Sequence, residues 1–209
     1  MIVEGARVER VYGGMSAVER STRRREQFLA AGLEVFARRG WAASTVADVC
    51  REAALSPRYF YELFGSREDL FRAVTTRIGD EVRATVRVAV ATPDVDPQQR
   101  ARGVLAALAE YFTADPRTVR VALMESLATE EFRRDRRELI EGFGTLAARL
   151  MRSLRTGGRD DRSLETSAVV LTGGLVELLI AAAEDPVTPG ALDRLLDRLT
   201  ALYTAAAQL

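Results

Sequence analysis

Apolar positions recur along this chain at helical spacing, and nowhere do they alternate as a half-buried strand requires. Phe28, Leu29, Gly32, Val35 and Phe36 fall on one face of a first long helix, predicted from Ser21 to Gly40. Arg38 and Arg39 suit its C-terminal end, and Gly40 supplies a left-handed cap. Val46, Val49, Cys50 and Ala53 give a short second helix, capped by Ser44 or Thr45 with Asp48 at capping-box spacing. Ala54-Leu55-Ser56 interrupts the pattern, and Ser56-Pro57 restarts it, serine as cap and proline in the first position. Phe60, Leu63 and Phe64 then point inward, leaving Arg58, Tyr59, Tyr61 and Glu62 to face outward.

A fourth helix starts at Ser66 and runs to about residue 91, with Leu70, Val74, Ile78, Val82, Val86 and Val90 repeating every four residues. Pro93, Asp94, Asp96 and Pro97 break it. Further helices are predicted over 97–113, 116–127, 130–154, 163–183 and 189–207, with Gly157-Gly158 as an exposed loop. The fold class is therefore all-α, about nine helices: a small three-helix head joined by the long fourth helix to a larger helical body. Residues 1–20 read as a mobile extension, 21–66 as the head and 67–209 as the body.

Composition narrows the function. The 209 residues are 47% apolar, enough for a substantial core. The most apolar run, 168–183, contains Glu177 and is read as too short to span a membrane. No signal-peptide pattern precedes it, one cysteine excludes an internal disulfide, and a cytoplasmic setting is expected. All 30 basic residues are Arg, and His is absent. Imidazole and lysine amines are thus lacking for catalysis or metal binding. No metal, cofactor or enzymatic activity is expected. Net charge is zero, yet residues 20–67 carry nine Arg against five acids. A basic end on a neutral chain suits a surface that meets phosphates.

The stretch from Arg24 to Val74 resembles the DNA-binding domain of TetR-type bacterial transcriptional repressors. The resemblance rests on Thr45-Val46-Ala47-Asp48-Val49, on Tyr61 to Phe64, and on Ser66-Arg67-Glu68-Asp69-Leu70. Ala54 departs from it, standing in the turn where that family usually has Gly, and Cys50 stands where it usually has Ala. The resemblance implies a helix-turn-helix domain whose short third helix enters the major groove. Arg23, Arg24, Ser44, Thr45, Ser56, Pro57, Arg58, Tyr59, Tyr61 and Arg67 are the expected DNA contacts. Arg58 has the geometry to read guanine. Tyr59, Tyr61, Thr45 and Arg67 suit phosphates, and so do Arg23 and Arg24, which with Arg25 crowd the start of the helix from Ser21, where misplaced positive charge needs an anion nearby. Trp41 is expected to pack under the head.

Two further expectations concern the body. The penultimate helix is apolar nearly all round, with Gly173-Gly174 in its middle, and the last carries a leucine stripe. Gly173, Gly174, Leu175, Leu178, Leu195, Leu199 and Leu202 are read as a homodimer interface, which the resemblance also implies. It implies as well a small-molecule effector, largely apolar, between the fourth helix and those that follow. The residues named for it are Arg83, Arg87, Tyr111, Phe112, Met124, Phe143 and Glu177. The leading reading is a ligand-responsive repressor on a palindromic operator in double-stranded DNA. The alternatives are an all-α enzyme with a borrowed head and a helical protein without DNA affinity.

Overall fold

The computed structural model describes residues 16–93, 95–155, 161–185 and 187–208. All of the regular structure in them is helical. In order come α1 (Ala17–Ala43), α2 (Val46–Ala53), α3 (Pro57–Leu63), α4 (Arg67–Val90), α5 (Pro97–Ala114), α6 (Pro116–Val119), α7 (Glu130–Leu154), α8 (Asp161–Glu184) and α9 (Pro189–Gln208). Most of the predicted extension, residues 1–15, and the Gly157-Gly158 loop lie outside the described residues.

The first helix starts one turn earlier than its apolar face indicates. Ser16 accepts the Glu19 N–H at 3.1 Å and donates its own N–H to the Glu19 carboxylate at 2.6 Å, a complete capping box. Arg23, Arg24 and Arg25 therefore sit beyond the first turn, where the helix dipole no longer disfavours them. The premise that charge misplaced on the helix dipole draws an anion there does not hold, and a phosphate role for Arg23 and Arg24 rests on the resemblance alone. Gly40 adopts φ +74°, and α1 kinks there before its last residues.

The stretch expected as one helix over 116–127 is three short pieces. After α6 the backbone widens into a π turn at Arg120–Met124 and tightens into a 3-10 turn at Glu125–Leu127. This re-aims Glu125, whose carboxylate accepts the Trp41 N–H at 2.7 Å beside the Gly40 kink.

Two hydrophobic cores result. One starts with Phe28, Phe36 and Phe60 in the head and continues through Phe71, Ile78, Leu123 and Phe132 into the body. Its junction is aromatic: Phe132 stacks on Phe71 at 4.3 Å and meets Trp41 edge-on at 4.8 Å. Trp41 does pack under the head, buried against Phe36 as well. The second core, further along the body, joins α5, α7, α8 and α9 through Leu105, Met151, Leu164, Leu196 and Tyr203.

Candidate functional site

The turn of the head is set by caps and one strained residue. Thr45 caps α2: its hydroxyl accepts the Asp48 N–H at 3.1 Å and donates to the Asp48 carboxylate at 2.6 Å, which in turn accepts the Thr45 N–H. That hydroxyl, against a burial penalty and with Arg51 and Arg39 alongside, holds the Asp48 carboxyl down at about 2. Ala54 closes α2 at φ +53°, ψ +37°. The left-handed turn is thus made without glycine, at a cost of about 1 kcal/mol.

Ser56 precedes α3 with no side-chain capping bond, so its expected capping role is absent and Pro57 starts the helix unaided. Phe60 is fully buried, with Phe28 edge-on at 5.5 Å, and fixes the roll of α3. The opposite face is left to solvent. Tyr61 is 61% exposed, and the Arg58 side chain, 84% exposed, is held to Glu62 at 3.0 Å. Tyr59 differs from expectation: it is half-buried beneath the Arg24 guanidinium, 3.8 Å from its ring centre. Arg23 is exposed on the same end of α1. An outward arginine and tyrosine over a rigid aromatic base can donate hydrogen bonds to phosphates or base edges.

Two expected contacts turn out to be internal. Ser44 is buried, and its hydroxyl donates to the Trp41 carbonyl at 2.8 Å. Arg67 lies 3.7 Å over the Trp41 ring and donates to the carbonyls of Trp41 and Ser44. Its charge is spent on carbonyls at the end of α1, which a reading of one helix at a time cannot see.

The body holds a cavity of about 650 Å³ between α4, α5, α7 and α8. Of the residues named from sequence, Arg83, Arg87, Phe112 and Phe143 line it, and Tyr111, Met124 and Glu177 do not. Tyr111 instead donates to Glu81 at 2.8 Å, and burial with this bond pushes its phenol upward. Met124 is drawn aside by the π turn, and Glu177 is exposed on the far face of α8. Sequence reading missed Arg100, Arg149, Thr172 and Tyr203 as lining residues. Arg149 is exposed and Arg100 half-buried, so neither stood on a clearly inward face that could have signalled the cavity.

The outward side of α8 and α9 is apolar. Val169, Val170, Gly174, Leu178 and Leu202 are exposed, and a Cβ at Gly173 or Gly174 would meet nothing within 4 Å. Leu175, Leu195 and Leu199, expected beside them, pack inward: Leu175 lines the cavity, and Leu195 and Leu199 belong to the second core. By length and composition Arg162–Glu184 would suffice to cross a membrane, contrary to the reading of that run as too short. Here its inner side walls the cavity with Thr172, Val176 and Leu179.

Residues 28–74 match the family model described as bacterial regulatory proteins, tetR family. The chain is 32% identical over 107 residues to the HTH-type transcriptional activator FasR of Mycolicibacterium smegmatis, covering 51% of this chain and 48% of that protein. It is 28% identical over 112 residues to the HTH-type transcriptional repressor NicS of Pseudomonas putida, covering 52% and 51%. The chain thus spans about half the length of the curated relatives it matches. Its fold superposes on the regulator FadR of Bacillus subtilis, solved with stearoyl-CoA, at a TM-score of 0.72 and 16% identity, covering 87% and 98% of the two chains. Residues 28–74 are thus similar to the tetR family of bacterial regulatory proteins, and the helical fold as a whole is similar to that of a solved TetR-like regulator.

Proposed function

We propose that this chain is a homodimeric DNA-binding transcriptional regulator, a repressor released from a palindromic operator by a small molecule held in the body cavity. The observation that carries the reading is the outward face of α3, where Arg58 and Tyr61 stand exposed over fully buried Phe60. Pro57, Arg58 and Tyr61 enter the major groove. Thr45, Tyr59, Arg23 and Arg24 lie along the adjoining phosphates, and Ser56 is exposed beside them. Ser44 and Arg67 brace the site from behind. Among the relatives one is named an activator and one a repressor; the second sense is adopted here. The setting is cytoplasmic, with the DNA.

The exposed apolar side of α8 and α9 supports dimerisation about a two-fold axis, which would set two recognition helices one DNA turn apart. The cavity communicates with the head by two routes. Helix α4 lines the cavity with Ile78, Val82 and Val86 and begins at Arg67, braced on Trp41. Ala122 and Leu123 line it too, three and two residues before Glu125, which reaches the Trp41 N–H. An effector releases DNA only as far as it prefers the conformation with the wrong spacing.

A gel-shift titration on the region upstream of the protein's own gene tests the reading. Wild type should shift it, with affinity falling steeply as salt rises. Arg58→Ala should relax base preference at one position of each half-site by about 1–3 kcal/mol. An unchanged consensus after selection would remove Arg58 from base reading, and no shift at all would remove the DNA-binding reading.

A further inference from the structure

We propose that the cavity takes a single-chain amphiphile with an anionic head, the head held by Arg87, Arg100 and Arg149 and the apolar chain directed toward the head domain. The proposal rests on the effector reading above and names the chemistry of that site.

The cavity wall is apolar for most of its length, and no Asp or Glu is among its described lining residues. Four arginines are. Arg83 is already satisfied: it turns back along α4 to Asp80 at 2.7 Å. Arg87 and Arg149 are exposed at the rim and have no ion pair among the described residues. Arg100 is half-buried; one guanidinium nitrogen donates to the Val95 carbonyl at 3.3 Å, while its buried Nε has no hydrogen-bond partner. The buried Arg100 donor left unsatisfied is unfavourable, and exposed Arg87 and Arg149 add like charge at the rim beside it. An anion offsets both through charge-assisted bonds, two at a time from a guanidinium.

Helix directions place these three together. Helix α4 leaves the head at Arg67 and reaches Arg87 near its far end, where α5 begins and brings Arg100. Helix α7 starts beside Trp41, through Phe132, and reaches Arg149 and Ser153 at the same far end. The opposite end is apolar, closed by Ile78, Phe112, Leu123 and Leu139. Ile78 and Arg87 are nine residues apart on one helix, about 13 Å, which suits an extended alkyl chain. The tail thereby ends against the wall that leads to Glu125, and the charged end stays remote from the DNA.

Calorimetric titration of the full chain with dodecanoate, dodecyl phosphate and neutral 1-dodecanol, each below its micelle concentration, tests this. At least one anion should bind ten times more tightly than dodecanol, and which one does so separates a carboxylate head from a phosphate. Decanoate should bind roughly fifteenfold more weakly than dodecanoate, about fourfold per methylene lost. Arg100→Leu and Arg149→Leu, each checked by thermal melting, should remove the preference for the anion while leaving dodecanol unchanged; if one does not fold, the other decides. Dodecanol binding as tightly as both anions would overturn the anionic subsite and leave the cavity as an effector site. No binding by any of the probes, from protein that still shifts its operator, would overturn both, with the DNA-binding reading intact.

Discussion

Between α1, α2 and α3 the rings of Phe28, Phe60 and Phe64 close on one another at 5.5 to 6.2 Å. Between α4, α5, α7 and α8 equally apolar side chains stand back around about 650 Å³. Charge differs in the same sense. In the head Arg38 is shared by Glu34 and Glu52, Arg39 and Arg51 by Asp48, and Arg58 is tied to Glu62. At the cavity Arg87 and Arg149 have no such partner among the described residues. Protein interiors are otherwise packed nearly as tightly as organic crystals. A filled core whose surface arginines are mostly paired makes a rigid platform for the outer face proposed to meet DNA. A hollow core with exposed, unpaired arginines at its rim suits the receptacle proposed above. The same two residue classes, apolar and Arg, serve both ends.

The contrast holds only if head and body stay coupled through their aromatic junction, and Phe132→Ala breaks that most severely. Phe132 is buried against Phe71 and Trp41, so its loss should cost about 3–5 kcal/mol. Thermal melting should show one transition at lower temperature; an unchanged midpoint would mean that the two ends do not share a core.

Leu178→Arg comes next. The residue is exposed in the protomer, so folding should be spared, while a charge placed across the proposed two-fold should weaken the dimer by about 2–4 kcal/mol. Sedimentation with an operator shift measures both. A dimer of wild-type affinity would move the interface elsewhere.

Thr45→Ala probes the head alone and should destabilise it by about 1 kcal/mol at neutral pH. It should also change the acid limb. Asp48 titrates at about 2 in the fold and at about 3.9 in an unfolded chain. Because the folded value is the lower, its stabilisation is complete above about pH 4 and is lost as pH falls toward 2. Unfolding curves across that window should flatten when Thr45 is removed.

The smallest change is a gain. Ala54→Gly relieves a left-handed residue and should add about 0.5–1 kcal/mol, partly offset by the greater freedom of glycine when unfolded. A loss of stability would show that the Ala54 side chain contributes packing worth more than the strain.

Much of the head was legible because its signals are local. Thr45 with Asp48, proline at the start of α3 and the spacing of Phe60 and Phe64 each concern residues within one or two turns. The capping box of Ser16 and Glu19 was just as local, and went unread only because the apolar face begins later. The body was legible as helices and less so as a site. Helix α8 is apolar nearly all round, so its sequence does not say that Val176 faces inward and Leu178 outward. The same gap placed Leu199 at an interface, when it is buried in the protomer's own core.

The sequence by itself determined that the regular structure of the described residues is helical, where its short helices start, and that one end carries an exposed arginine and tyrosine on an aromatic base. Periodicity reports which residues share a face, and caps report where a face ends. Neither reports what the face meets. Only the tertiary structure decided that Arg67 is spent on Trp41 and Ser44, that Glu125 crosses to the kink at Gly40, and that Arg87, Arg100 and Arg149 converge on one hollow. Each of those depends on helices distant in sequence meeting in space, where a guanidinium or carboxylate takes whichever partner the packing leaves within about 3 Å.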